Sequence, residues 1–247
     1  MRSLPLHSLW FIFVALLLCS LYASASPAEL YQRSGMNQHQ QHFQGALQSA
    51  QQRYAQQLPP AVQQALLRNS NQRFAPQGMH DRAQARLALA LEPADIQQAL
   101  TFFNSPLGRK IVAAETQASS PASVAAMQRG LPAQPLSPER RAIIERLAAR
   151  LPALELGVEV STALTGLAAQ SANDLLGGLM KIPQQAGTGG RDRLREQMRP
   201  NLPDTLAHIY RDLDDDELTR FTEWSESSGG QAFYRATEQA VRDALNP

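Results

Sequence analysis

Apolar residues in this chain of 247 recur every three or four positions along nearly its whole length. That period is the signature of amphipathic helices, and no stretch beyond Ala25 alternates as a half-buried strand would. Phe43, Leu47, Ala50, Tyr54 and Leu58 form one such stripe, closed by Pro59 and Pro60. Ile96, Leu100 and Phe103 line a second helix, and Ile111, Ala114 and Ala118 a third. "SPERRAIIERLAARL" opens on a Ser-Pro start and directs Ile143, Ile144, Leu147 and Leu151 inward. The last third repeats the habit with Leu206, Ile209, Tyr210 and Leu213, then Leu218, Phe221 and Trp224, then Phe233, Ala240, Val241 and Leu245. The expected fold class is all-α.

A shift of 122 positions lays "LEPADIQQALTFFNSPLGRKIV" over "LDDDELTRFTEWSESSGGQAFY". Asp95 then meets Glu217, Phe102 meets Trp224, Ser105 meets Ser227 and Gly108 meets Gly230. This predicts a helical bundle built from two divergent copies of one module, residues 26–130 and 137–247, with a linker at 131–136. Both copies place an aromatic near the end of one helix, a serine to cap the next, and a glycine in its first turn. Phe102, Phe103, Ser105, Pro106 and Gly108, matched by Trp224, Ser227 and Gly230, therefore read as a structural corner. Arg109 and Lys110 stand beside the first corner only; an anion on the free amides of that helix is the alternative reading there.

The stretch "ADIQQALTFFNSPLGRKIV", Ala94 to Val112, resembles an exported bacterial family known as domain of unknown function twenty fifty-nine. Ser-Pro-x-Gly after an acidic, aromatic-ended helix carries the resemblance; "SSGG" at Ser227 to Gly230 departs from it. The resemblance implies an all-helical periplasmic or secreted protein and brings no activity, cofactor or catalytic residue.

The first residues read as a targeting segment. Arg2 precedes the apolar run "LWFIFVALLLC", too short for a bilayer span, and "ASA" presents small residues to a signal peptidase. Cleavage is expected between Ala25 and Ser26, which assigns the protein to the periplasm or the exterior. The only cysteine, Cys19, leaves with the segment, so neither a disulfide nor a thiol nucleophile is expected. Loss of Arg2 leaves 22 acids matched by as many Lys and Arg, a balance that lacks the footprint of a nucleic-acid binder or a polybasic membrane anchor.

Few residues point to chemistry. His39 and His42 stand at i and i+3 on one helical face, half of a metal site by ligand number. Asp214 to Glu217 read as an acidic helix start, since the glycine and spacing of a calcium loop are missing. Glu155 and Glu159 are expected on a solvated face, opposite a stripe of Leu156, Val160, Leu164, Leu167, Ser171 and Leu175 within the apolar stretch Leu156 to Met180. "PQQAGTGGRDR", residues 183–193, is expected to be a flexible connector; its glycines Gly187, Gly189 and Gly190 lack the strand and Gly-Lys-Ser/Thr of a phosphate loop. No Gly-x-Ser-x-Gly or Ser-x-x-Lys occurs. The expectation is a non-enzymatic exported protein with no cofactor, working through another envelope protein or self-association. The alternatives are a metal-handling or hydrolytic envelope protein using His39 and His42, and reversible membrane association.

Overall fold

The computed structural model describes residues 26–131, 135–167 and 188–246, and these are helical with no strand. The helices are α1 (Pro27–Arg33), α2 (Met36–Ala55), α3 (Pro60–Arg73), α4 (Pro76–Ala90), α5 (Pro93–Asn104), α6 (Pro106–Ala118), α7 (Pro121–Gln128) and α8 (Pro138–Ala148). They continue as α9 (Ala153–Thr165), α10 (Thr188–Met198), α11 (Leu202–Ile209), α12 (Asp215–Glu226) and α13 (Ser228–Leu245). All but one of the first eight begin on proline, whose fixed φ and missing N–H suit a first turn. The targeting segment, linker residues 132–134, Ser171, Leu175 and Gly187 lie outside the described residues.

One apolar core runs through both halves of the sequence. The last helix, α13, packs along α4 and also touches α5, α9 and α12, while α1 is wedged against α4 and α5. Three arginines fasten the C-terminal end of α13 to the N-terminal half. Arg73 donates to the Leu245 carbonyl at 3.0 Å, Arg82 to those of Asp243 and Ala244, and Arg86 pairs with the Asp243 carboxylate at 2.6 Å. Cations there meet the negative end of the helix dipole and the carbonyls it leaves unpaired.

The two hairpins α5–α6 and α12–α13 are laid out alike. Helices Pro93–Asn104 and Asp215–Glu226 have equal length and both start in a capping box, Glu92 with Asp95 and Asp214 with Glu217. Ser105 and Ser227 adopt nearly identical extended geometry (φ −69°, ψ 160° and φ −66°, ψ 160°), and each hydroxyl accepts from the amide of the glycine three residues on. The hairpins meet through their matched aromatics. Phe102 stacks on Trp224 with ring centroids 3.8 Å apart and planes 4° from parallel. Equivalent positions facing each other is the contact an isologous pairing makes.

Two local expectations are corrected. Gly189 and Gly190 sit inside α10, so the latter part of 183–193 is helix, pinned by Arg191 to Glu159 and Arg195 to Glu155. Glu159 is not solvated: it is 4 % exposed, with Arg191 and Arg242 at 3.0 and 3.2 Å and the Asn246 amide at 3.4 Å. Helix α9 is turned so that Val158, Glu159 and Thr162 are its buried residues, while Leu156, Val160 and Leu164 are only partly covered. Flanking guanidiniums reverse the preference that charge alone would set, because a paired carboxylate is buried at far lower cost than a free one. At the first corner, Lys110 has a carboxylate partner, which disfavours the alternative of a bound anion there. It reaches across the bundle to Glu217 at 2.5 Å, and Arg109 donates to the Asn104 carbonyl.

Candidate functional site

Helix α6 positions two polar clusters one turn apart. Glu115 and Ser119 are at i and i+4 on it, and each collects partners from a different part of the chain.

Glu115 directs its carboxyl toward the aromatic core, where the buried Tyr210 hydroxyl donates to it at 2.6 Å. Burial raises the carboxyl to about 7, against the opposing pull of that hydrogen bond. Burial, with the Glu115 charge nearby, also raises the Tyr210 and Tyr234 hydroxyls well above their usual value. The cluster ties α6 to the end of α11 and is an acid that holds its proton to unusually high pH. Sequence reading missed it. The available signal was that Glu115 is the only ionisable residue between Ile111 and Gln128.

Ser119, at the C-terminal end of α6, joins the two histidines of α2. Nδ1 of His39 and Nδ1 of His42 each lie 2.8 Å from its Oγ, and the Ser119 hydroxyl lies 3.0 Å from the Thr116 carbonyl. Burial first, and the neighbouring His42 second, lower His39 to about 4. The structure thus places His39 and His42 together as their spacing predicts, and adds a shared partner 80 residues from His39 along the chain. Among the described residues no three of His, Cys, Asp or Glu gather into a group able to hold a metal.

The corner residues do structural work. A Cβ on Gly108 would stand 2.0 Å from the Phe102 carbonyl oxygen, and one on Gly230 2.1 Å from that of Trp224. Backbone passes where a side chain would begin, which is why glycine recurs. Asp214 and Glu217 cap α12 as expected for a helix start.

The outer side formed by α2, α3 and α7 has a different chemistry. From Met36 to Leu67 the sole Asp, Glu, Lys or Arg is Arg53, and α7 has none. Helix α7 is uncovered: none of its residues is buried, and Val124 is 37 % exposed. Its Pro121 rests near Gly45 of α2, and beyond that point α2 and α3 frame an open groove of about 400 Å³. Gln48, Gln51, Gln52, Gln56, Gln63 and Leu67 are among the residues lining it. Gln51 is itself buried and donates to Ser70 and Asn71 at 2.7 and 2.8 Å, which fixes the groove floor.

Residues 77–135, most of α4 through α7, match the model of a family described as an uncharacterized protein conserved in bacteria, DUF2059. The first hairpin lies within the matched residues. No curated protein and no solved structure matches the chain. The matched segment contains the Phe102 to Gly108 corner, Glu115, Ser119 and all of α7. His39, His42, Tyr210 and the second corner lie outside it, so both polar clusters join that segment to other parts of the chain. No helix among the described residues is long and apolar enough to cross a membrane.

Proposed function

We propose that this is an exported, non-enzymatic protein that binds another envelope protein through the charge-poor side formed by α2, α7 and the first two turns of α3. The observation that carries the reading is the uncovered α7 beside a glutamine-lined groove, with one charge between Met36 and Leu67. Interface cores are set apart from ordinary surface by depletion of charged residues more than by apolarity, and this side has that character. The apolar, Arg2-led N-terminal run supports export, and the matched caps of the two hairpins support an origin in two copies of one module.

Native mass spectrometry of the untagged protein, purified from its own cell envelope, tests the reading. The expected result is a reproducible added mass that is lost when a charge is placed on this side by Val124→Lys or Gln52→Glu, and kept when Asp212 on the charged side is changed to Lys. A bare monomer in the unaltered protein, or an added mass indifferent to Val124→Lys and Gln52→Glu, would sink the proposal.

A further inference from the structure

We propose that Glu115 and Tyr210 form a proton-operated latch on α6. With its proton in place, the Glu115 carboxyl holds α6 against the end of α11. Once ionised, it lets that contact open to water and slackens α6 and the helix α7 that follows.

The latch starts from what surrounds the carboxyl. Tyr210, the C-cap of α11, is 1 % exposed and donates its hydroxyl to Glu115 at 2.6 Å. Tyr234 of α13, also buried, is near enough for the Glu115 charge to act on its hydroxyl. Rings wall both phenols: Phe221 meets Tyr210 edge-on at 5.4 Å, and Trp224 and Phe233 meet Tyr234 at 5.4 and 5.3 Å. Three weak acids thus share an apolar setting, and no cation among the described residues acts on the carboxyl. Lys110, on α6 itself, is paired with Glu217. Arg140 of α8 is paired with Asp215 and donates to the Tyr210 carbonyl at 3.1 Å. Asp95, the one charged residue of α5, is held in the cap of its own helix, and α7 carries no charge. A carboxyl in such a place keeps its proton, because its charge would be neither solvated nor paired. The Tyr210 hydroxyl favours the charged form, but burial is the larger effect and carries the carboxyl to about 7. Glu115 is only partly covered, so a small opening brings water to it.

Helix α6 is held on two sides. On the α2 side, Thr116 and Val112 press on Gly35, and Nδ1 of His39 and of His42 meet Ser119 Oγ at 2.8 Å. Glu115 and Tyr210 hold the other side. Only Ser119 and Ser120 separate α6 from α7, none of whose residues is buried. Opening at Tyr210 therefore reaches α7, and the latch stands whether or not α7 docks a partner. The two sides answer to different ranges of pH. His39, lowered to about 4, is already neutral in the fold where Glu115 ionises.

The test is hydrogen exchange of the untagged protein at about pH 6 and about pH 8.5, with labelling times scaled for the intrinsic rate, beside a carbon NMR titration of the Glu115 carboxyl. The carboxyl should titrate near 7 rather than 4.5. Protection of α6 from Glu115 onward, of α7 and of α11 should fall about fivefold to tenfold between the two conditions. The ceiling is set by an acid released from about 7 to 4.5. In Glu115→Gln, which leaves His39, His42 and His208 in place, that fall should be absent. Tyr210→Phe should raise the carboxyl midpoint, because the lost hydroxyl favoured the charged form; a tyrosine that only filled space would leave it unmoved. A midpoint near 4.5, a fall of equal size in Glu115→Gln, or a midpoint that holds or drops in Tyr210→Phe would overturn the latch. Titration of the unaltered protein decides the first of these even where a variant fails to fold.

Discussion

Residues 92–108 and 214–230 realise one backbone with two sequences. Both have an acid at the cap, an aromatic at the matched place, a serine leading the second helix and a glycine in its first turn. They differ at the first helical residue, Pro106 against Ser228, and in the cations, Arg109 and Lys110 against Gln231 and Ala232. What differs is what the corner does not require. Proline and cations are dispensable to the turn; the serine hydroxyl and the absent Cβ are not, because each answers to backbone atoms within about 3 Å.

The sharpest way to break that comparison is to add the missing methyl. Gly108→Ala and Gly230→Ala should each cost about 3 kcal/mol, since the obstructing atoms are backbone and no side-chain rotation relieves them. Denaturant titration checks this, and a loss below about 1 kcal/mol in both would show that the corners are looser than drawn.

Next in size is a difference between matched positions on the second helices. Position 115 holds a hydrogen-bonded carboxyl, whereas position 237 holds a buried threonine whose hydroxyl lacks a partner. Because Glu115 is raised in the fold from 4.5 to about 7, the folded chain binds its proton more tightly than the unfolded chain does. Its contribution is fully present below about pH 4.5 and is lost as pH rises through 7. The loss should be roughly 2 kcal/mol, less than the full shift implies because the residue is only partly covered. In Glu115→Gln that fall between pH 4.5 and 7 should disappear, leaving the opposite rise from His39, whose lowered value of about 4 makes stability grow as pH climbs from 4 to 6.5. A fall of unchanged size in melts taken across that range would assign it elsewhere.

Ser105→Ala and Ser227→Ala should each cost about 1 kcal/mol, the value of one N-cap, and by similar amounts in the two corners. Thermal melts showing a loss in only one of them would end the equivalence. Smallest of all, Pro106→Ser, which rewrites the first corner toward the second, should change stability by less than about 1 kcal/mol. Gly229→Ala should also be mild, because the atom it meets is the end of the flexible Gln98 side chain.

Much of this was legible in the sequence because it is local. Most helix periods, the proline starts, the Ser105 and Ser227 caps and the glycine in each corner are set by residues within one turn of each other; the buried face of α9 is the exception. What escaped depends on partners far along the chain. Glu159 looks solvated on its own helix, and only Arg191 and Arg242 make its burial tolerable. Glu115 looks like an isolated surface acid until Tyr210 arrives from 95 residues away. His39 and His42 were visible as a pair, but Ser119, which both rings meet, had no feature distinguishing it from the serines around it.

The seat of α13 carries one more consequence. Helix α4 finds its main partner in α13, where Arg82 reaches a carbonyl 162 residues further on and Arg73 and Arg86 close on the same turn. Contacts so distant along the chain delay folding until α13 is available. A molecule threaded through a pore from its N-terminal side would stay slack until α13 had crossed. A protease that cut within the final turn of α13 would loosen α3 and α4 as much as α13 itself.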